Sequence, residues 1–315
     1  MNYQHAFHAG NFADVHKHVV LTRILDYLRQ KPAAFRVIDS HAGAGRYDLA
    51  GPQAMRSPEW RDGIGRLVAA MANSSRADAL RTLLSPYLDA IAAFNPVASG
   101  RTATLDTKAP AGITSLRFYP GSPLIARALL RPQDRLIACE VEPRAAAALK
   151  AALHGDRRAK VLAIDGWTAL NANVPPKERR GLVVIDPPFE EADDFAKLPT
   201  ALAAAHRKWP TGIYMLWFPI KEREAPDALA RRLRSLAIAK LLRSEIALGP
   251  PQADSGLIGS GLIVVNPPYT LERELTTLQP GLARMFSTAA VSRLDWLARE
   301  QRGTAGDSTA KKTGR

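Results

Sequence analysis

Gly181-Leu182-Val183-Val184-Ile185-Asp186-Pro187-Pro188-Phe189 decides how this chain is read. The first five residues, rich in β-branched side chains, form a short buried strand. Two prolines end it abruptly, because proline has no N–H for a ladder and turns its predecessor away from helix. A loop with outward-facing carbonyls is expected there, flanked by one carboxylate and one aromatic ring. These are the groups needed to hold a flat base by its exocyclic amino group, so methylation of a nucleobase nitrogen is the first chemistry the loop suggests.

Outward from that strand the pattern alternates. Downstream it predicts a helix over 193–209, a strand over 213–218, a helix over 226–236, and strands over 241–248 and 262–265 close enough to form a hairpin. Upstream it predicts a strand from Leu136 to Glu140, a helix over 143–153, a strand over 161–164 and a short helix near Trp167. Nearer the start, Asn11 is placed to cap a helix with Val15, Val19, Thr22, Leu25 and Leu28 on its apolar side, ending near Gln30. Phe35 to Asp39 then reads as a strand entering a glycine turn at Gly43 and Gly45. Regular alternation implies an α/β fold with a parallel, doubly wound sheet. Helical periodicity over 58–95 reads as an inserted helical subdomain, followed by a long loop from Pro96 to Ser115. The expected organisation is an N-terminal segment with the start of the main domain (1–50), the insertion and loop (51–115), the rest of the main domain (116–302) and a disordered basic tail (303–315).

Composition narrows the partner. Lys and Arg total 43 against 30 Asp and Glu, a formal charge of +13, which favours a polyanion through counterion release. The single cysteine, Cys139, excludes a disulfide framework and reads as a buried, inert strand residue. No stretch approaches the ~18 apolar residues of a membrane span, and the first residues lack the pattern of a secretory signal. A cytoplasmic protein without membrane contact is expected.

Ligands of open parallel sheets bind beyond the carboxyl ends of the strands. Four predicted strand ends carry suitable groups: Asp39 with Gly43 and Gly45, whose missing side chains let a ligand approach; Glu140, suited to ribose hydroxyls; Asp165-Gly166, suited to an adenine edge; and Asp186. Their order fits one nucleoside-containing ligand. A dinucleotide dehydrogenase would need a longer glycine pattern and an acid about 20 residues further on, and neither occurs.

Several segments resemble the RlmJ-type 23S ribosomal RNA adenine-N6 methyltransferases: Tyr3-Gln4-His5-Ala6-Phe7-His8-Ala9-Gly10-Asn11, His16-Lys17-His18, Asp39-Ser40-His41-Ala42-Gly43-Ala44-Gly45-Arg46-Tyr47 and Tyr119-Pro120-Gly121-Ser122-Pro123-Leu124. The likeness continues through Asp165-Gly166, Asp186-Pro187-Pro188-Phe189 and Asn266-Pro267-Pro268. It implies a class I, S-adenosylmethionine-dependent, Rossmann-like fold whose final strand is antiparallel. It further implies cofactor contacts at His18, His41, Ser122, Glu140, Asp165, Gly166 and Asp186, and places Tyr3, His5 and Lys17 near the target base. Phe189 stands where the family often has tyrosine, and the loop from Pro96 to Ser115 is longer than the family usually carries. The basic group Lys177, Arg179 and Arg180 is expected to contact RNA phosphates around the cleft.

Three features have plainer readings. Asn266-Pro267-Pro268-Tyr269 is by itself an amino-methylation motif, but the end of an antiparallel strand emerges on the wrong edge, which makes Asn266 structural. Five of the seven histidines fall between His5 and His41, yet His16 and His18 are two apart on a helix and cannot share an ion, so no metal site is expected. Ser122, before Pro123, is placed to cap a helix.

The implied mechanism has Asp186 and the Pro187 carbonyl accept the two hydrogens of the adenine amino group, localising a lone pair otherwise delocalised into the ring. Phe189 would stack on the base. An aspartate of ordinary pKa, about 3.9, is too weak to deprotonate a neutral amine, so proton loss follows or accompanies attack. The expected substrate is 23S rRNA, unpaired or free of ribosomal protein at the target. DNA adenine or protein glutamine methylation, and a non-catalytic RNA-binding role, are the alternatives.

Overall fold

Eight strands form one sheet in the computed structural model, which describes residues 5–72, 75, 78–95, 116–190, 193–249 and 256–300. In chain order the elements are α1 (Phe12–Arg29), β1 (Arg36–Asp39), β2 (Arg46–Asp48), α2 (Pro52–Arg56), α3 (Ile64–Ala72), α4 (Ala79–Ala93), β3 (Phe118–Pro120), α5 (Ser122–Leu129), β4 (Arg135–Cys139) and α6 (Pro143–Ala152). They continue with β5 (Ala159–Leu162), α7 (Gly166–Ala172), β6 (Gly181–Ile185), α8 (Asp194–Lys208), β7 (Ile213–Ile220), α9 (Glu224–Arg234), β8 (Leu241–Ala247), β9 (Gly259–Val265), α10 (Leu271–Phe286) and β10 (Val291–Ala298).

The sheet order is β10-β8-β9-β7-β6-β1-β4-β5. Strands β5, β4, β1, β6 and β7 are parallel, while β9 runs antiparallel to both β7 and β8, and β10 antiparallel to β8. This is the doubly wound sheet with an antiparallel final strand that the resemblance implies, and β8 and β9 pair as expected. Both faces of the central strands are covered, which is why they read as unbroken apolar runs rather than alternating ones. Val37, Leu182, Val184 and Met215 join one core with α1 and α10, and Ile38, Val183, Ile185 and Leu216 join another with α8 and α9.

Asn11 caps α1 as expected, its side-chain oxygen accepting from the N–H groups of Ala13 and Asp14. Helices α3 and α4 bury Ile64, Leu67, Leu84, Tyr87 and Ile91 in the same core as α1, so the helical segment after Pro58 shares its interior with the sheet domain. The loop and tail expected at 96–115 and 303–315 lie outside the described residues. Cys139 is fully buried, and burial pushes its thiol up to about 12. Among the described residues no helix is long and apolar enough to cross a membrane.

The small β2–β3 ribbon was not expected from the sequence. It pairs Arg46 with Pro120 and Asp48 with Phe118, and the Gly121 N–H donates to the Gly45 carbonyl at 2.7 Å. This ribbon clamps the start of α5 onto the glycine turn after β1. It also corrects the reading of Ser122: Gly121 is the cap, Ser122 is the first helical residue, and the Ser122 hydroxyl donates to Asp39 Oδ2 at 2.7 Å.

Candidate active site

Strands β6, β1, β4 and β5 are neighbours and parallel, so Asp186, Asp39, Glu140 and Asp165 line one edge of the sheet in that order. From β1 the chain winds through β4 and β5 to one side and through β6 and β7 to the other. The topological switch point therefore lies between β1 and β6, with Asp39 and Asp186 on its two sides.

Asp186 is held from α1. Lys17, 4% exposed, places its ammonium 2.5 Å from Asp186 Oδ2 and 2.9 Å from Asp14 Oδ1. Asp14 Oδ2 in turn accepts from His5 Nε2 at 3.0 Å and from the Gly10 N–H at 2.9 Å. Burial alone would strip the Lys17 proton, but Asp14 and Asp186 raise its pKa above that of an ordinary lysine. Burial likewise opposes the Asp14 charge, yet His5 and Lys17 hold that carboxyl well below its usual range. His5, Asp14, Lys17 and Asp186 thus form one chain of charge-assisted contacts, buried at Asp14 and Lys17 and half-buried at its two ends. Tyr3 lies outside the described residues.

Phe189 adopts a left-handed backbone with φ 53°. Its half-buried ring packs 4.7 Å from Phe195 and edge-on, 5.7 Å, to Trp217. The Lys17 ammonium lies 5.7 Å from the same Trp217 ring. Among the described residues nothing donates a hydrogen bond to the Pro187 carbonyl.

Along the rest of the edge, Glu140 accepts from the N–H groups of Gly43 at 2.9 Å and Glu142 at 2.8 Å. Asp165 caps α7 by accepting from the Thr168 N–H at 2.8 Å; burial raises its pKa, but Thr168, the Trp167 N–H and His41 together outweigh that and the net shift is downward. His41 packs edge-on against Trp167 at 5.2 Å and bonds Ser40 Oγ, and burial lowers it to about 4. His18 bonds Tyr119 at 2.7 Å and is lowered by burial to about 3. Asp39, 1% exposed, is raised to about 7, first by burial and further by the charge of Asp186, against the Ser122 hydrogen bond.

Packing by itself also requires the glycines. A Cβ on Gly43 would collide with the Tyr47 hydroxyl, one on Gly45 would come 3.0 Å from Leu149, and one on Gly166 would run into the His41 ring and the Ser40 carbonyl. The space a Cβ would take is filled by protein, and Gly43 and Gly45 also adopt positive φ, 62° and 80°.

The structure separates the decoys. Asn266 donates at 2.8 Å to the carbonyls of Pro210 and Gly212, just before β7 and therefore on the edge opposite Asp186. His16 has both ring nitrogens engaged, with Ser260 at 3.0 Å and Ser244 at 2.9 Å, and burial lowers it to about 3. Lys177, Arg179 and Arg180 also need correction. They precede β6 and so sit on the edge opposite the candidate cleft, where Arg180 donates to the carbonyls of Leu28 and Ala33. A parallel strand carries its preceding and following loops to opposite edges, which the adjacency of these residues to Gly181 in sequence conceals.

Two residues of the site escaped the sequence reading. Asp14 was visible only as an i,i+3 partner of Lys17 on a helix, a pattern shared by many solvated pairs. Trp217 lies within an apolar strand and gave no signal.

A methyl-donor nucleoside fits these groups. Asp39 Oδ1 and His18 Nε2 are buried polar atoms without a hydrogen-bond partner among the described residues, and Glu140 and Asp165 reach solvent along the same edge. Comparison with known proteins points the same way. The family model described as ribosomal RNA large subunit methyltransferase D, RlmJ, matches residues 32–298. The chain is 38% identical over 282 residues to ribosomal RNA large subunit methyltransferase J of Escherichia coli (strain K12), covering 90% of this chain and 92% of that one. It is 36% identical to the protein of the same name from Haemophilus influenzae, covering 90% and 93%. Among solved structures, protein LPL1258 from Legionella pneumophila superposes with a TM-score of 0.78 at 32% identity, covering 92% of this chain and 98% of that one.

Proposed function

Because the chain belongs to the RlmJ family of ribosomal RNA large subunit methyltransferases, we propose that it methylates the exocyclic N6 amino group of one adenine in 23S rRNA, with S-adenosylmethionine as donor. The observation that carries this reading is the Asp186 loop. A carboxylate at the switch point, oriented by a buried lysine, stands beside an unengaged Pro187 carbonyl and a half-buried aromatic ring.

Glu140 would hold the ribose hydroxyls of the donor, Asp165 and Gly166 its adenine edge, and Asp39, Ser122, His18 and His41 the part nearer the switch point. When bound, S-adenosylmethionine supplies an electrophilic methyl group. Asp186 and the Pro187 carbonyl accept the two amino hydrogens of the target and turn its lone pair out of conjugation. This is catalysis by positioning and electrostatics, effects that supply several kcal/mol of a barrier. Lys17 fixes the rotamer of Asp186, and the proton leaves once the attacking nitrogen has become cationic and acidic. Phe189 stacks on the base, a contact worth about 1–3 kcal/mol in single-stranded recognition. An adenine must leave its stack to reach this loop, so the target is unpaired, or freed of ribosomal protein, when it reacts.

The test is transfer of radiolabel from S-adenosylmethionine to protein-free 23S rRNA, followed by nuclease digestion. Label is expected in N6-methyladenosine and is expected to fall by orders of magnitude in Asp186→Ala, with donor binding retained. Label in DNA or in a protein glutamine, but not in rRNA, would overturn the substrate assignment. Wild-type turnover by folded Asp186→Ala would overturn the mechanism.

A further inference from the structure

The edge of the sheet opposite Asp186 gathers cations from several strand starts. Register sets Arg36 directly across from Arg135 on one side and Gly181 on the other, so the basic residues that precede β1, β4 and β6 meet there. The carboxylates among them are already matched: Asp134 by Arg131, Asp156 by Arg127 and Arg158, and Glu178 by Arg36. Exposed cations whose side chains are left without a partner among the described residues include Arg29 and Lys31 before β1, Arg157 and Lys160 at β5, Lys177 and Arg179 before β6, and Arg207 before β7. The five strands β5, β4, β1, β6 and β7 lie about 4.8 Å apart, which spreads this charge over roughly 20 Å. An extended row of separated cations suits a phosphate backbone, whose charges are also spread along a line, better than a compact anion.

We propose that this edge is a second RNA-docking surface, one that holds phosphates of the substrate rRNA away from the target adenine. The inference rests on the rRNA methyltransferase reading. The length of β6, about 17 Å at ~3.3 Å per residue, separates the two surfaces. RNA that engages both must pass around the sheet. A large folded rRNA can do so, and a short oligonucleotide carrying only the target adenine cannot.

The test is the full-length chain with Lys31→Gln, Lys177→Gln and Arg179→Gln combined, side chains that are exposed and bond nothing in the fold. Against 23S rRNA, KM is expected to rise several-fold with kcat unchanged. The slope of log Kd against log salt should flatten by about 0.7 to 0.9 for each phosphate that the variant no longer neutralises. KM for a short RNA bearing the target adenine should not change, and Glu at the same three positions should enlarge the effect on the long RNA. An unchanged salt slope and KM on 23S rRNA would overturn the surface. So would loss of binding to phosphatidylserine vesicles with RNA binding intact, which would assign the edge to lipid. If the wild-type chain methylates no rRNA, the function fails instead, and filter binding of the same RNA still tests the edge.

Discussion

The Lys17 ammonium lies 2.5 Å from Asp186 Oδ2 and 2.9 Å from Asp14 Oδ1, so one buried cation ties the Asp186 loop to the first turn of α1. Lys17→Met would leave Asp14 buried with only His5 and the Gly10 N–H for support. Breaking a buried pair in this way costs about 3–5 kcal/mol. Chemical denaturation should show that loss, and methyl transfer should fall with it. A Lys17→Met protein of wild-type stability and turnover would remove the network from the mechanism.

Asp39 makes stability depend on pH in an unusual direction. Its folded carboxyl titrates at about 7 instead of 3.8, so the native state holds the proton more tightly than the unfolded chain. The resulting stability is fully present below pH ~4 and is lost as the pH rises to ~7, a change of up to about 4 kcal/mol. Buried His16, His18 and His41 are shifted downward and act oppositely, since they lose stability as the pH falls. Comparing wild type with Asp39→Asn cancels the histidines. The wild type should lose ground to the variant between pH 4 and 7, and a pH-independent difference would contradict the burial argument.

Gly166→Ala tests how closely α7 approaches the β1 loop. The added methyl meets the His41 ring and the Ser40 carbonyl, and the backbone member of that pair cannot step aside. Overpacking of this kind costs about 1–3 kcal/mol. Calorimetric titration with S-adenosylmethionine should show weaker binding because His41 is displaced; undiminished affinity would separate His41 from the donor site.

Asn266→Ala distinguishes the two proline loops. The substitution removes both hydrogen bonds to the start of β7 and puts alanine at φ 50°, a loss of about 1–3 kcal/mol. Methyl transfer at a permissive temperature should stay within about twofold of wild type, in contrast to Asp186→Ala. A collapse of kcat in well-folded Asn266→Ala would mean that the wrong loop has been assigned.

What the sequence disclosed follows the range of the interaction involved. The strand before Asp186, the Asn11 cap and the pairing of β8 with β9 rest on local pattern, and all are present. Lys17 shows what pattern cannot carry. A lysine in mid-helix reads as solvated, and only a carboxylate 169 residues away reveals it as buried. Ser122 was legible as a helix start but not as a donor to Asp39, because the ribbon that joins them pairs two three-residue strands too short for periodicity to register. The basic group before Gly181 was recognised by charge and misplaced by proximity in sequence.

His16 gives the chain an order of assembly. The serines it bridges lie 228 and 244 residues downstream, on β8 and β9, yet its helix also carries the lysine that orients Asp186. Contacts so distant in sequence form late, since a long segment must be ordered before they repay its entropy. Helix α1 packs on α4, α5 and β6 as well as on β9, so its seating is completed, not begun, when the antiparallel strands pair. The helix that orients Asp186 is thus pinned at both halves of the sheet, by Lys17 to the loop after β6 and by His16 to the antiparallel strands, so a disturbance at β8 or β9 can reach the Asp186 carboxylate through a single turn of helix.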